Sequence, residues 1–566
     1  MSLIGSLNIG KQAMTAHQAA IATTGNNISN AGNANYTRQV TDLSASRDRM
    51  LRQGIFVGTG VQIDAVRRQI DEALEGRVRA ALSENDAAQT NQQWLGQVEA
   101  VLNELGDTDL SSRLSTFFSS WSNLANKPQD IGLRQVVIQN GQALASWMND
   151  ARQQLGDLQE TIDQRLPALV TQADALSQRI ADLNGQISAV EGGAGQANNL
   201  RDQRDGIVRQ LSTLIDVKTI EQPNGTLNVH VGSEPLVVGT ETRGLTTESG
   251  GTAAAPAPEV RFKANLGSVS LKSGQIAGLL ESRQTVGNVV EDVDAIAGSL
   301  IFELNKLHSS GQGLEGFSSV TAGNIVEDSA VALNDPASGL LQPPTNGSVV
   351  VHVKDKSTGL VTSTLMQIDL DGLNGDDTSL NDLRGSLDGV AGVNAAINAG
   401  KLTISADSAA VELSFSQDSS GVLASLGINN FFTGSNARNI AINQNLSDNP
   451  QLLAAAKNGQ KGDNQTARLI AAMETQPIGA FNGQSLKAKY EGVVTSVATA
   501  AASAKSDADA AQGVLETLQA QRESVSGVSL DEEAVNLMRE QRAFQGAARL
   551  ISTVNELMDV VINMAR

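Results

Sequence analysis

Four stretches of this chain place residue types at spacings that could carry chemistry. Gly5-Ser6-Leu7-Asn8-Ile9-Gly10-Lys11 matches the first seven positions of a phosphate-binding loop, in which backbone N–H groups cradle phosphates and the lysine reaches them. The next residue is Gln12, where magnesium coordination needs Ser or Thr, and no strand leads into the run, so coincidence is the better reading. Gly311-Gln312-Gly313-Leu314-Glu315-Gly316 has dinucleotide-loop spacing but follows a helical pattern where that loop must follow a strand. Asp369-Leu370-Asp371-Gly372-Leu373-Asn374-Gly375-Asp376-Asp377 looks calcium-like, yet its fifth position is Leu373 and no bidentate Glu stands at the twelfth. A solvated turn is expected there. Glu532 and Glu533 read as first-turn helix residues favoured by the dipole. His17, His230, His308 and His352 are scattered without ligand spacing and read as surface or boundary residues. No nucleophile–base–acid set stands out, so no catalytic, cofactor-binding or metal-ligating residues are expected.

Composition narrows the classes further. At 566 residues the chain is long enough for three or four domains. Lys plus Arg number 41 against 61 Asp plus Glu, a formal charge of −20, which argues against a nucleic-acid partner bound through its phosphates. Cysteine is absent, which removes disulfides and thiolate metal sites. No run of about 18 apolar residues is present, so no membrane insertion is expected. The first ten residues lack the basic leader of a secretory signal. Aromatic residues make up only 3%, leaving Ala, Leu, Val and Ile to fill the cores, which suits long helices.

The elements that position everything else are at the two ends. Leu3, Leu7, Gly10, Met14, His17, Ile21, Thr24 and Ile28 alternate spacings of four and three, the period of a helix packed along its length in a coiled coil. At the other end Ser529-Leu530-Asp531-Glu532 reads as a capping box. From it Leu530, Leu537, Phe544, Ile551, Met558 and Ala565 recur every seven residues, with Ala534, Gln541, Ala548, Asn555 and Ile562 as a second column. Such thin helices cannot bury their stripes alone, so the ends pair with each other or with other copies. Phe117, Phe118, Trp121 and Leu124 gather aromatics on one helical face. A longer helical pattern from Leu155 to Val190 contains Pro167, which should kink or split it.

Near residue 216 the period changes to two, as in Leu227-Asn228-Val229-His230-Val231 after a Pro223-Asn224-Gly225 turn. Gly250 to Pro258 reads as a small-residue loop. Helix returns at about 275–308, a second β-rich region spans about 324–446, and helix resumes from about 464. The pattern predicts an α+β multidomain chain: long terminal helices and a helical-bundle rod domain with two inserted β-rich lobes. The boundaries are 1–45 with 527–566 for the terminal helices, and 46–215 with 275–323 and 447–526 for the rod. The insertions are 216–274 and the outer lobe 324–446.

Asn26-Asn27-Ile28-Ser29-Asn30 with Asn35-Tyr36-Thr37-Arg38-Gln39, and Ser526-Gly527-Val528-Ser529-Leu530-Asp531-Glu532-Glu533, resemble the paired terminal motifs of bacterial flagellar axial proteins. Asn199-Leu200-Arg201-Asp202-Gln203-Arg204-Asp205, Phe302-Glu303-Leu304-Asn305-Lys306-Leu307-His308 and Phe431-Phe432-Thr433-Gly434-Ser435 narrow the resemblance to the hook–filament junction members. Asn35 stands where the family usually has Gly, and Asn tolerates the left-handed turn. Ser529 stands where the family often has Asn, and both cap helices.

The resemblance implies a non-enzymatic, homo-oligomeric collar joining hook to filament. It further implies secretion through the flagellar type III pathway, with the terminal helices folding on assembly, and an extracellular place in the motility organelle. Implied partners are further copies of the chain, the hook protein, the second junction protein (hook-associated protein 3) and an export chaperone at the C-terminal helix. The expected assembly interface is Leu3, Leu7, Met14, Ile21 and Ile28 with Leu530, Leu537, Phe544, Ile551, Met558 and Ile562. The alternatives are another axial protein (second junction, hook or flagellin type) or a secreted enzyme carried on flagellar termini. The latter needs a catalytic set inside 216–274 or 324–446, whose histidines are only His230 and His352.

Overall fold

The structure is a computed structural model that describes residues 2–52, 54–102, 109–192, 195–252 and 255–564. The chain opens with helix α1 (Leu3–Ser29) and strands β1 (Gln39–Ala45), β2 (Arg49–Arg52), β3 (Ile55–Val57) and β4 (Val61–Arg68). Four helices follow: α2 (Glu72–Leu102), α3 (Leu110–Asn126), α4 (Ile131–Glu191) and α5 (Asn198–Leu214). Then come β5 (Lys218–Glu221), β6 (Leu227–Val231), β7 (Glu234–Val238), β8 (Glu241–Thr242), β9 (Leu245–Thr252) and β10 (Ala255–Phe262). Helix α6 (Gln275–Ser309) precedes β11 (Ser319–Thr321), β12 (Gly347–Asp355), β13 (Val361–Ile368) and α7 (Leu380–Asp388). After these lie β14 (Val393–Asn398), β15 (Lys401–Ala406), β16 (Val411–Ser416), α8 (Val422–Leu426), β17 (Phe432–Thr433), β18 (Ala441–Ile442) and α9 (Gln444–Asp448). The chain closes with α10 (Gln465–Ala472), α11 (Leu486–Ser526) and α12 (Leu530–Met564). It divides into two compact units. The first comprises Met1–Trp94, Thr161–Arg283 and Ala502–Arg566; the second comprises Leu95–Glu160 and Gln284–Ala501.

In the first unit α1 and α12 pack antiparallel. Gly10 lies against the Ile551 side chain, His17 Nδ1 meets Glu540 Oε2 at 2.7 Å, and Asn27 bonds Glu533. A Cβ at Gly10 would stand 2.7 Å from Ile551, so the glycine of the loop-like run serves close helix contact. Strands β1 and β4 form a ribbon beside α1, linked to it by Thr41 Oγ1 and Thr23 Oγ1 at 3.1 Å. Leu74, Val78 and Ala81 of α2 bury against Leu515 and Leu518 of α11, each set at helical spacing. The sheet β5-β6-β7-β8 is antiparallel throughout. Buried Asn184 of α4 stitches it down, donating to Leu227 O and Gly239 O at 2.8 and 2.7 Å and accepting from Leu227 N.

The second unit has two cores. One is aromatic: Phe117 and Trp121 of α3 meet Phe431 and Phe432, Phe118 packs on Phe117, and Phe431 and Phe432 lie edge-on at 4.8 Å between centroids. The other fills the β-rich lobe, where the sheets β13-β12-β16 and β11-β15-β14 pack with α7 around Val351, Ile368, Leu380, Leu402, Leu413 and Phe415. His308, fully buried, touches the aromatic cluster. Its Nδ1–H donates to Asn429 O at 2.8 Å, and Nε2 accepts from Ala454 N at 3.0 Å. It is therefore neutral and interior, not the surface or boundary residue expected.

Other expectations change as well. Pro167 does not split α4. Ile162, Leu166, Val170 and Ala173 are all buried around it, and their burial outweighs the roughly 3 kcal/mol that an interior proline costs. The small-residue stretch 250–258 is not a loop but part of an antiparallel hairpin, β9 with β10. The helical stretch from 464 is broken between α10 and α11. Ala565 of the terminal stripe lies outside the described residues.

Burial pushes the His308 imidazole from 6.5 down to about 4. Between those values the unfolded chain takes a proton that the folded chain refuses. The stability involved is fully present above about pH 6.5 and is lost as pH falls towards 4, about 3 kcal/mol in total. The urea midpoint read by near-ultraviolet circular dichroism should fall between pH 7 and pH 5. His308→Gln should flatten that dependence whatever its offset; an unchanged slope would acquit His308.

Candidate functional site

The two columns of the terminal stripe are placed differently on α12. Leu537, Phe544, Ile551 and Met558 are half-buried, whereas Leu530 and Ile562 are exposed. The second column is Glu533, Glu540, Ala547 and Val554 rather than Ala534, Gln541, Ala548, Asn555 and Ile562: Glu533, Ala547 and Val554 are the buried residues of α12, and Glu540 pairs with His17. Two carboxylates hid this column in the sequence. On α1, Leu3, Leu7, Met14, Ile21 and Ile28 are half-buried, and Gly10, Ala16, Ala20, Thr24 and Asn27 are buried.

Beside the C-terminal end of α1, the terminal motifs and the 199–205 motif converge on one buried polar network, all within the first unit. Asn27, 1% exposed, uses its full hydrogen-bonding capacity. Its Nδ2 donates to Gln39 O and to Glu533 Oε2, both at 2.9 Å. Its Oδ1 accepts from Tyr36 Oη at 2.7 Å and from Gln39 N at 3.0 Å. Glu533, 2% exposed, also receives Arg38 Nε at 2.9 Å, while Arg38 Nη1 holds Glu532 at 3.1 Å. Adjacent carboxylates read as helix-dipole residues are thus the far half of an inter-helix clamp. Arg38 N also donates to Ser526 O at 2.9 Å, tying the signature turn to the end of α11.

A second layer fixes this turn to α5. Thr37 N donates to Asp202 Oδ2 at 3.3 Å, and Arg68 Nη1 bridges Asp202 at 3.0 Å and Asp205 at 2.6 Å. Asn35 Oδ1 accepts from Arg209 Nη2 at 3.1 Å. Glu75 receives both Arg209 at 3.3 Å and Arg522 at 2.5 Å. Gly206, inside α5, leaves room for this contact: a Cβ would sit 3.0 Å from Asn35 Oδ1. Burial, then the Asp202 and Glu533 charges, push the Tyr36 phenol up to about 12, so it stays a donor. Burial pulls the Arg68 guanidinium down, but Asp205 and Asp202 outweigh it and hold it above its ordinary value. Such a network is firm only when complete, since each buried charge relies on its partners.

The remaining motifs resolve differently. In the second unit, Asn305 accepts from Phe431 N and Phe432 N at 2.9 and 3.0 Å and donates to Phe432 O at 2.8 Å, so two more signature segments also lock together. The glycines of 311–316 admit a neighbouring backbone: Gln312 N reaches Ala456 O at 2.8 Å, and a Cβ on Gly313 would meet Gln451 O. Asp369, Asp371 and Asp377 do bring carboxylate oxygens within 4.8 Å of one another. Yet Asp377 and Asp371 accept from Gly372 N and Leu373 N at 3.0 and 2.8 Å within the same turn. A cleft of about 410 Å³ beside α6 is lined by Phe302, Asn324, Ile325, Leu341 and Ser425 among others, none of them ionisable. No described helix is long and apolar enough to cross a membrane.

Residues 95–323 match the family described as Flagellar hook-associated protein FlgK helical domain, and residues 519–564 match Flagellar basal body rod FlgEFG protein C-terminal. Flagellar hook-associated protein 1 of Escherichia coli (strain K12) is 25% identical over 581 residues, spanning 99% of each chain. The protein of that name from Bacillus subtilis (strain 168) is 27% identical over 572 residues, 98% of this chain and 97% of the other. The fold resembles that of the flagellar hook junction protein FlgK from Burkholderia pseudomallei, with a TM-score of 0.53 and 16% identity over 80% of this chain and all of that one. Both the fold and the two ends are thus similar to those of flagellar axial proteins. Along its whole length the chain is similar to proteins named flagellar hook-associated protein 1, and its middle carries the match to the FlgK helical domain.

Removing the centre of the network should loosen both ends together. Asn27→Asp loses both donors and sets a carboxylate against Glu533, costing about 3 kcal/mol or more. Hydrogen exchange should accelerate in α1 and α12 alike, while Ser29→Ala at the exposed end of α1 changes stability by less than about 0.5 kcal/mol. Unchanged protection in α12 would show that the network does not couple the helices.

Proposed function

We propose that the chain is a non-enzymatic adaptor of the hook–filament junction, a collar of identical copies seated between hook and filament. The observation that carries this reading is the convergence of both ends and the 199–205 motif on Asn27 and Glu533, in a chain that aligns end to end with hook-associated relatives. The network fixes the paired α1 and α12 in one orientation on the first unit, as a subunit handing load from one neighbour to the next requires. The half-buried stripe residues Leu3, Leu7, Met14, Ile21, Ile28, Leu537, Phe544, Ile551 and Met558, with exposed Leu530 and Ile562, form the contact with adjoining subunits.

In this reading the protein leaves the cell through the flagellar type III pathway and stands outside it at the hook–filament junction. An export chaperone covers the C-terminal helix before secretion, and the hook protein and second junction protein are its neighbours afterwards. The terminal helices complete their packing on assembly. A helix pair that leaves Val535, Met538, Leu557 and Val561 exposed has apolar surface for neighbours to cover. The phosphate-loop and dinucleotide-loop look-alikes both serve close packing, which favours the structural reading over a secreted enzyme.

Bacteria lacking the chain should bear hooks without filaments and release flagellin to the medium; electron microscopy reads this directly. Intact filaments in such cells would refute the junction role. A strain carrying Phe544→Asp, with secretion confirmed, should also lack filaments, because an unpaired carboxylate in the seam costs several kcal/mol per subunit and recurs in every copy. Deleting 324–446 should leave some filaments. Normal filaments with Phe544→Asp would place the contact elsewhere.

A further inference from the structure

Two apolar patches of the first unit are uncovered and carry opposite charge. One is the tip of the ribbon that begins with β1 and β4. Met50 and Phe56 face each other across β2 and β3 and are 59% and 63% exposed, with Ile55 beside them. Nearer the base, Leu43 and Ile63 form another exposed cross-strand pair. The tip holds Arg47, Arg49 and Arg52 against Asp48 alone, and none of these arginines makes an ion pair among the described residues. A two-stranded hairpin with its apolar side chains in water is marginal on its own.

The other patch is the last three turns of α12. Leu557, Val560, Val561 and Met564 are exposed, Met564 at 83%, and Ile4 of the antiparallel partner is exposed as well. Residues 550–564 contain Glu556 and Asp559 and no Lys or Arg. The basic, apolar tip is thus complementary to the acidic, apolar helix end, in a chain whose net charge of −20 otherwise repels its own copies.

We infer that the 46–58 hairpin tip of one copy docks on the 550–564 helix end of a second copy. The pairing rests on the collar reading and supplies its contact. Two different patches meet, so the interface is heterologous, and repetition with a closing rotation yields a ring rather than an isolated dimer.

The chain has no cysteine, so Phe56→Cys can be labelled at one position with benzophenone maleimide and photolysed in assembled flagella. Using a mixture of isotopically light and heavy copies, mass spectrometry should find the adduct on peptide 550–564 of the other copy. Arg49→Glu with Arg52→Glu should lower the adduct yield about tenfold, and Glu556→Lys with Asp559→Lys in the partner should restore it. All four positions are exposed, so unchanged melting of the variants separates lost docking from lost folding. An adduct elsewhere on the chain, within the same copy, or on another flagellar subunit would overturn the pairing. A lysine-reactive cross-linker provides the second arm. Multimers without the 550–564 adduct defeat only this inference, whereas absence of multimers under both reagents defeats the collar itself.

Discussion

A carboxylate held out of water must be paired, and Glu533 is held almost wholly out of water. Asn27 and Arg38 provide that pairing from the opposite end of the chain. Once Glu533 is fixed, the register of α12 against α1 is fixed too, because a slide of one residue would leave both the carboxylate and the Asn27 amide without partners. The His17–Glu540 pair two turns away repeats the same register. Apolar contacts such as Gly10 with Ile551 add attraction but tolerate small shifts. Polar pairing sets the position, and hydrophobic burial supplies most of the stability.

From this anchor the rest of the first unit follows in layers. The turn after α1 carries Asn35 to Arg38, which reach α5 and the start of α12 at once. Through Arg68, Asp202 and Asp205 the ribbon is tied to the same helix. The second unit uses a similar device on a different theme. Asn305 holds the backbone of the double phenylalanine, and the rings then fill the space beside Trp121. In both units a buried asparagine with several hydrogen-bond partners locates a segment that apolar packing alone would leave loosely placed.

The sequence made the local order visible and concealed the long-range polar order. Seven-residue recurrence revealed both terminal helices and the column Leu537, Phe544, Ile551 and Met558. It could not reveal Glu533 and Glu540 as inward residues, because a carboxylate in a heptad stripe reads as solvent-facing unless its distant partner is known. The signature turn, the 199–205 text and the start of α12 were recognisable as resemblances, but nothing local said that they touch. His308 was misread for the same reason: its two hydrogen-bond partners lie at 429 and 454. Pro167 and the 250–258 stretch show the opposite error, where a strong local preference gave way to burial and strand pairing.

The partners Asn27 and Glu533 are 506 residues apart, and this separation bears on how the chain can come into being. During vectorial synthesis α1 emerges well before its mate and waits while some 500 residues are made between them. The interior can organise in the meantime, since the helices and sheets of the second unit find their partners within 95–160 and 284–501. Closing the ends is the longest loop the chain must form, with the largest entropic demand and no local contacts to guide it. A nonsense lesion that trims only the final helix therefore orphans the first one as well: the damage appears at both ends of the polypeptide although one end is intact in the gene.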